Sequence, residues 1–382
     1  MSRTYQLISA DSHLDLAPDR WTHHVPQKWK ERAPRRVQLE SGEEAIAIED
    51  RPPAPIGYTK SVGVKHDDLA KQVPTFENSA GTGPPEKRLA EQDQDGVEAE
   101  VMFSRVGYLR AVKEDEGYLA LNHAYNQYLA EEYSAVAPDR LMPLGVMPTT
   151  GVEDSVAEME YCAKAGMRGV ILDRYPNGSG HPTPEDDRFW AASLDLNMPI
   201  TTHTNGGSTQ FKDGGPPFLF SKDGKGGREP FSTQMFRFCG DAAFSPIQMA
   251  FAGVWDRFPD LKIYWAETMI GWLPYALWQL DDHYKRYHGL WEDLWGLGPL
   301  KHMPSHYIRN HSLWGFLDDP VGVQLREAAG VETLLWASDF AHAASDWPDS
   351  LKTIERSFEG VPKDDRHLML AGNAVKFFHL DD

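Results

Sequence analysis

Eight short apolar runs that alternate with helix-like stretches constrain this chain more than any other feature of its sequence. The runs begin at Tyr5-Gln-Leu-Ile-Ser-Ala and Ala99-Glu-Val-Met-Phe-Ser, and continue with Leu141–Pro148, Gly169–Leu172 and Pro199–His203. Lys262–Glu267, Arg309–Phe316 and Thr333–Asp339 complete them. Helical spacing is read over residues 86–93, Tyr118–Val136, Gly151–Ala165, Asp186–Asn197, Ala242–Phe258 and Leu273–Tyr287. Strict alternation of this kind implies parallel strands joined by crossover helices, and eight strands favour closure into a barrel over an open sheet. The turn after the first strand is Asp11-Ser-His-Leu-Asp rather than a glycine-rich phosphate turn, which argues against an open dinucleotide-binding sheet.

The expected fold is therefore α/β, a (β/α)8 TIM-like barrel forming one domain over residues 1–382, with two long insertions. Residues 34–85, after strand one, carry Pro34, Pro52, Pro53, Pro55, Pro74, Pro84 and Pro85 and little periodicity. Residues 204–238, after strand five, are rich in Gly and Pro. Loops of this length in a compact domain usually cover a site, so both are read as lid insertions.

Charge and cysteine content narrow the partners. With 38 basic against 57 acidic residues the formal charge is −19, leaving no basic surplus for nucleic acid. Cys162 and Cys239 are too few for a disulfide framework or a cysteine-rich zinc site. No run approaches the ~18 uninterrupted apolar residues of a membrane span, and the N-terminus lacks a secretory pattern. A cytoplasmic enzyme acting on a small molecule, with no membrane or nucleic-acid partner, is expected, as a homo-oligomer.

In a parallel barrel all strand C-termini share one rim. Here those ends carry Asp11 and His13, Ser104, Pro148, Asp173 and Arg174 after Leu172, then His203, Glu267 and Asp339. Asp11 and His13 are two apart on a strand, so both can point to one side. Each residue alone has an ordinary reading: a core histidine, a helix cap, a salt bridge. Imidazoles and carboxylates on several corners of one rim instead match the needs of a divalent metal, neutral nitrogen and anionic oxygen with a position left open.

The motifs Ile8-Ser-Ala-Asp-Ser-His, Asp95-Gly-Val-Glu-Ala-Glu-Val, Pro199-Ile-Thr-Thr-His, Gly271-Trp-Leu-Pro after Glu267, Trp336-Ala-Ser-Asp-Phe-Ala-His and Gly372-Asn-Ala occur in an order that resembles the amidohydrolase superfamily. The resemblance is to the amidohydrolase-related branch of aminocarboxymuconate semialdehyde decarboxylase and resorcylate decarboxylase, and it spans nearly the whole chain. It implies Asp11 and His13 as first-strand metal ligands, His203 as the fifth-strand ligand, and Asp339 as a carboxylate that binds metal and moves a proton. Two departures stand out. Asp11 replaces the usual histidine of the hydrolases, and Glu267 stands where a sixth-strand histidine is common, so that histidine's catalytic role is unfilled or passes to a residue such as His342. No lysine ends strand four, so a carbamylated lysine bridge is not expected.

A site with Asp11, Glu267 and Asp339 beside two histidines is rich in oxygen and suits Mn or Fe at least as well as Zn. One ion or two remains open, since Glu267 could bridge. Arg105, Arg110 and Arg174 are candidate clamps for a substrate carboxylate, against the alternative that they pair with local acids. Trp272, Trp314, Phe316 and Trp347 are candidate walls of an aromatic pocket, or else packing, and His123 reads as structural. The functional expectation is a metal-dependent decarboxylase or hydrolase of a small organic acid, aromatic or CoA-linked, using Asp339 and His342. The alternatives are a non-haem iron or di-iron oxygenase on the same fold and a non-catalytic binding protein on a degenerate barrel.

Overall fold

A computed structural model describes residues 3–56, 62–64, 73–104, 106–203 and 244–381. The second insertion, residues 204–238, lies outside the described residues, as do Arg105 and Cys239. The strands of the central layer are β1 (Ile8–Leu14), β5 (Ala99–Ser104), β6 (Leu141–Pro143), β7 (Gly145–Val146), β8 (Val170–Leu172), β9 (Ile200–His203), β10 (Ile263–Ala266), β11 (Ser312–Phe316) and β12 (Leu334–Trp336). All their pairings are parallel, in two arcs ordered β1-β5-β6 and β12-β11-β10-β9-β8-β7.

This is the TIM-barrel fold, but the regular ladder is not the unbroken ring that eight alternating strands suggest. One seam lies within the third strand position. Pro143 has no amide hydrogen to donate, and the chain turns there from β5 to β8: Leu144 N–H donates to Met102 O and Gly145 N–H to Gly169 O. Gly145 is required at this point, because a Cβ would approach Cys162 Sγ to 2.5 Å. The other seam joins β1 to the segment after β12. Asp339 N–H donates to Asp11 O at 3.0 Å, His13 N–H to Phe340 O at 2.5 Å, and Ser338 N–H to Ser9 Oγ at 2.9 Å.

Strand alternation sorts the core into two layers. Ile8, Ala10, Val101, Phe103, Tyr264 and Leu313 fill the barrel with Phe377 and Phe378 packed among them, while Trp190, Trp255, Trp265, Trp314 and Phe316 fill the shell beneath the helices. Burying each of the larger of these side chains contributes about 1.5–3 kcal/mol, an upper figure because unfolded chains are partly collapsed.

Four sequence expectations change. Residues 34–85 are not wholly irregular: β2 (Arg35–Gln38), β3 (Glu44–Ala47) and β4 (Ala54–Pro55) form a small antiparallel sheet, too short to show periodicity. The seventh strand starts at Ser312, not Arg309, because Pro304–His311 is a helix begun by a proline at its first turn. The helix expected from Ala242 is described from Phe244 and breaks at Gly253, which has φ 66°. The helix from Leu273 runs on past Tyr287 to Trp295, where left-handed Gly296 caps it.

Candidate metal centre

Four strand ends deliver the five side chains of the site. The β1/β5 register shifts between Ser9 and Ser12, a bulge that re-aims Asp11 and His13 at the rim. His203 is the last residue of β9, Glu267 follows β10, and Asp339 follows β12. Glu267 and Asp339 adopt left-handed φ of 55° and 52°, a sparsely populated conformation for residues other than glycine that here turns each carboxylate inward.

The geometry is tight. His13 Nε2 lies 3.0 Å from Asp339 Oδ1 and 3.5 Å from Asp11 Oδ1, while His203 Nε2 lies 3.6 Å from Asp11 Oδ2 and 3.3 Å from Glu267 Oε2. His342 Nδ1 reaches Asp339 Oδ1 at 3.0 Å, and its ring stacks on His13 with centroids 3.6 Å apart. The structure thus brings together all five expected ligands and His342. Asp11, His13, Glu267 and Asp339 are buried, while His203 and His342 are partly open toward the mouth. Strand four ends at Leu172, and Asp173 follows it.

Electrostatics say what such a cluster lacks. Burial, then the nearby charges of Asp339 and Glu267, pushes Asp11 well above the usual carboxylate range. Burial lowers His13, which keeps its imidazole neutral and its lone pair available. Asp339 is also desolvated, but the imidazoles of His13 and His342 outweigh that and hold its carboxyl below the ordinary range. Both carboxylate oxygens of Asp11 are buried with no hydrogen-bond donor among the described residues. An acid desolvated without donors is costly unless a cation meets it, so the donor set fits a divalent metal.

The remaining candidates lie elsewhere. Arg174 is exposed and borders a recess with Tyr175, Trp190, Thr202 and Trp265, on the outward side of β9 and β10. Arg110 pairs with Asp115 at 2.9 Å. Trp314 is buried in the outer shell against Trp265 and Trp272, and Trp272 donates its indole N–H to Thr268 O. Trp347 packs on Phe340 and donates to Glu91 O, and His123 contacts Glu158. A further group went unremarked in the sequence: His23 and His24 both reach Glu132 Oε1, at 2.5 and 2.7 Å, on the outer surface. Also missed was a buried pair behind the site, Arg88 and Glu100. An acid inside the apolar run Ala99–Ser104 was its available signal.

A parallel barrel with imidazoles and carboxylates gathered on its strand ends defines a metal-dependent barrel enzyme. The family model for amidohydrolases matches residues 19–380, and the chain belongs to that family. It is 28% identical over 204 residues to a decarboxylase of Emericella nidulans, a match covering 47% of this chain and 58% of that relative's length. Among solved structures it resembles an amidohydrolase from Mycobacterium avium subsp. paratuberculosis K-10, with TM-score 0.73, 18% identity, and coverage of 99% and 100% of the two chains. It also resembles a 5-carboxyvanillate decarboxylase from Novosphingobium aromaticivorans, solved with manganese and 4-hydroxy-3-methoxy-5-nitrobenzoic acid. There the TM-score is 0.65, with 14% identity over 98% of this chain and 96% of that one.

Proposed function

We propose that this protein is a divalent-metal-dependent decarboxylase of a hydroxylated aromatic acid. The observation that carries the reading is the buried Asp11 carboxylate without donors, set between His13, His203 and Asp339 at the barrel mouth. The decarboxylases among its relatives support the reaction class, and the manganese in one of them supports a metal that favours oxygen ligands, such as Mn. Asp11, His13, His203 and Asp339 would hold one ion, with Glu267 beside His203. The bound cation supplies Lewis-acid stabilisation of negative charge on the substrate's oxygens.

The chain's own residues handle the proton. His342 Nδ1 and Asp339 Oδ1 lie 3.0 Å apart at the same rim, and this pair would carry the proton. Delivered to the ring carbon that bears the carboxylate, it lets the bond to carbon dioxide break and returns that electron pair to the ring. Glu267, in place of a sixth-strand histidine, adds negative charge where a hydrolase would carry a basic imidazole, which favours lyase over hydrolase chemistry. The first insertion acts as a lid within a single domain. Its Val62 packs on Phe340 and Ala341, next to Asp339, which supports that role.

The test is turnover. Protein reconstituted with Mn2+ and offered a panel of ortho-hydroxylated benzoates, 5-carboxyvanillate included, is expected to release carbon dioxide anaerobically, and D339N to release none. Oxygen uptake coupled to turnover would move the assignment to an oxygenase, and product formation from esters or amides alone to a hydrolase.

A further inference from the structure

Behind the metal centre, Arg88 joins the two strand ends that carry His13 and Asp339. Arg88, in the helix Pro85–Asp95, is 1% exposed, and Glu100 on β5 is 2% exposed. The guanidinium uses three nitrogens on three acceptors: Nε donates to Glu100 Oε2 at 2.6 Å, Nη1 to His13 O at 3.0 Å and Nη2 to Phe340 O at 3.3 Å. Its plane also lies 4.5 Å from the centre of the Phe340 ring. Glu100 is held in turn by Gln92 Nε2 at 2.8 Å and by the Ser12 hydroxyl at 3.0 Å.

Two of these contacts are to the main chain of His13 and of the residue after Asp339. They fall at the seam where β1 and β12 have no continuous ladder and one bridge joins Ser12 to Phe340. Neighbouring strands elsewhere in the barrel are kept in register by repeated backbone bonds. Here, among the described residues, only two such bonds, Asp339 N–H to Asp11 O and His13 N–H to Phe340 O, cross the seam, and the Arg88 side chain adds two more.

We propose that Arg88 and Glu100 form a positioning clamp for the metal centre, reinforcing the separation of His13 and Asp339 across this sparsely bonded seam. The inference rests on the metal-centre reading, and on no particular reaction. Arginine is the residue this role needs. A planar fork can serve a carboxylate and two carbonyls at once, whereas an ammonium on a flexible stem cannot hold the same three acceptors in one plane. The first insertion is shaped to the clamp: Gly81 has φ +73°, and a Cβ there would meet Ala341 Cβ at 2.6 Å and Arg88 Nη1 at 3.0 Å. Neither Arg88 nor Glu100 reaches the site, so both act through the ligands they place.

The experiment is Mn2+ titration of wild type, R88K and E100Q without substrate, read by calorimetry and by the electron paramagnetic resonance of bound Mn2+. Thermal unfolding of each metal-free protein reports folding separately. Both variants are expected to bind Mn2+ about tenfold or more weakly, as loss of groups that orient ligands does, with an altered resonance spectrum. Folded R88K with wild-type affinity and spectrum would falsify the clamp. Should R88K and E100Q not fold, S12A removes the hydroxyl's bonds to Glu100 and to Ser9 Oγ, and Q92A removes the amide's bond to Glu100; several-fold weaker binding in both supports the clamp and unchanged binding in both overturns it. A wild type that binds no Mn2+ rejects the metal-centre reading itself. A wild type that binds Mn2+ but decarboxylates nothing rejects only the proposed reaction.

Discussion

Two clusters of histidine and carboxylate stand out among the described residues, and nearly the same residue types do different things in them. At the barrel mouth, Asp11, His13, Glu267 and Asp339 are withdrawn from water, and Asp11 has no donor for either oxygen among the described residues. On the outer surface, His23, His24 and Glu132 meet just as closely, but the His23 and Glu132 side chains are about half exposed, at 51% and 45%. There, solvent and the mutual hydrogen bonds satisfy every group. Proximity of ligand types is therefore weak evidence for a metal. Burial without donors is stronger, because only a cation or a proton can offset the desolvation of such an acid.

The largest expected effect separates the clusters outright. Alanine at His13 or Asp11 should abolish tight Mn2+ binding and all turnover, while alanine at His23, His24 or Glu132 should leave both within about twofold. Metal analysis after gel filtration checks this, and loss of metal from the surface variants would mean that the comparison assigns the site wrongly. Next in size is metal removal itself. A ligand at ~1,000 times its dissociation constant stabilises the folded state by about 4 kcal/mol. Chelation should thus lower the unfolding temperature of wild type distinctly, that of H23A equally, and that of H13A hardly at all. E267Q should fall between these extremes. It keeps the shape but replaces one of three buried carboxylates by a neutral amide, so Mn2+ affinity should drop by about tenfold, or roughly 1.4 kcal/mol.

The buried cluster was legible in the sequence because each member ends an apolar run, and parallel barrels place all such ends on one rim. Asp11, His13, His203, Glu267 and Asp339 could be named without coordinates for that reason. What joins them was not legible. Arg88 acts largely through backbone carbonyls of His13 and Phe340, and carbonyls leave no mark on side-chain patterns. Local propensity also misled where it met short elements: the sheet of β2, β3 and β4 has strands of four, four and two residues, and Arg309–His311 looks extended beside Ser312–Phe316 yet continues a helix. Trp314 shows a different limit. Its place on a strand was evident, but whether it faces the barrel or the shell depends on a register that a five-residue strand does not announce.

The smallest effect tests the surface cluster on its own terms. Glu132 is slightly desolvated, which alone would raise it, but the bonds from His23 and His24 win and hold its carboxyl below the ordinary value of 4.5. A depressed carboxylate stabilises the fold fully above that ordinary value, and the contribution disappears as pH falls through the lower, folded value. Exposure and salt screening limit it to well under ~1 kcal/mol. The unfolding temperatures of wild type and E132Q, measured in chelator, should therefore differ slightly at neutral pH and converge as the pH is lowered below about 4.5. A difference that is large, or that grows when Zn2+ is added at neutral pH, would show that the exposed trio holds a metal after all, and that burial is not what separates the two clusters.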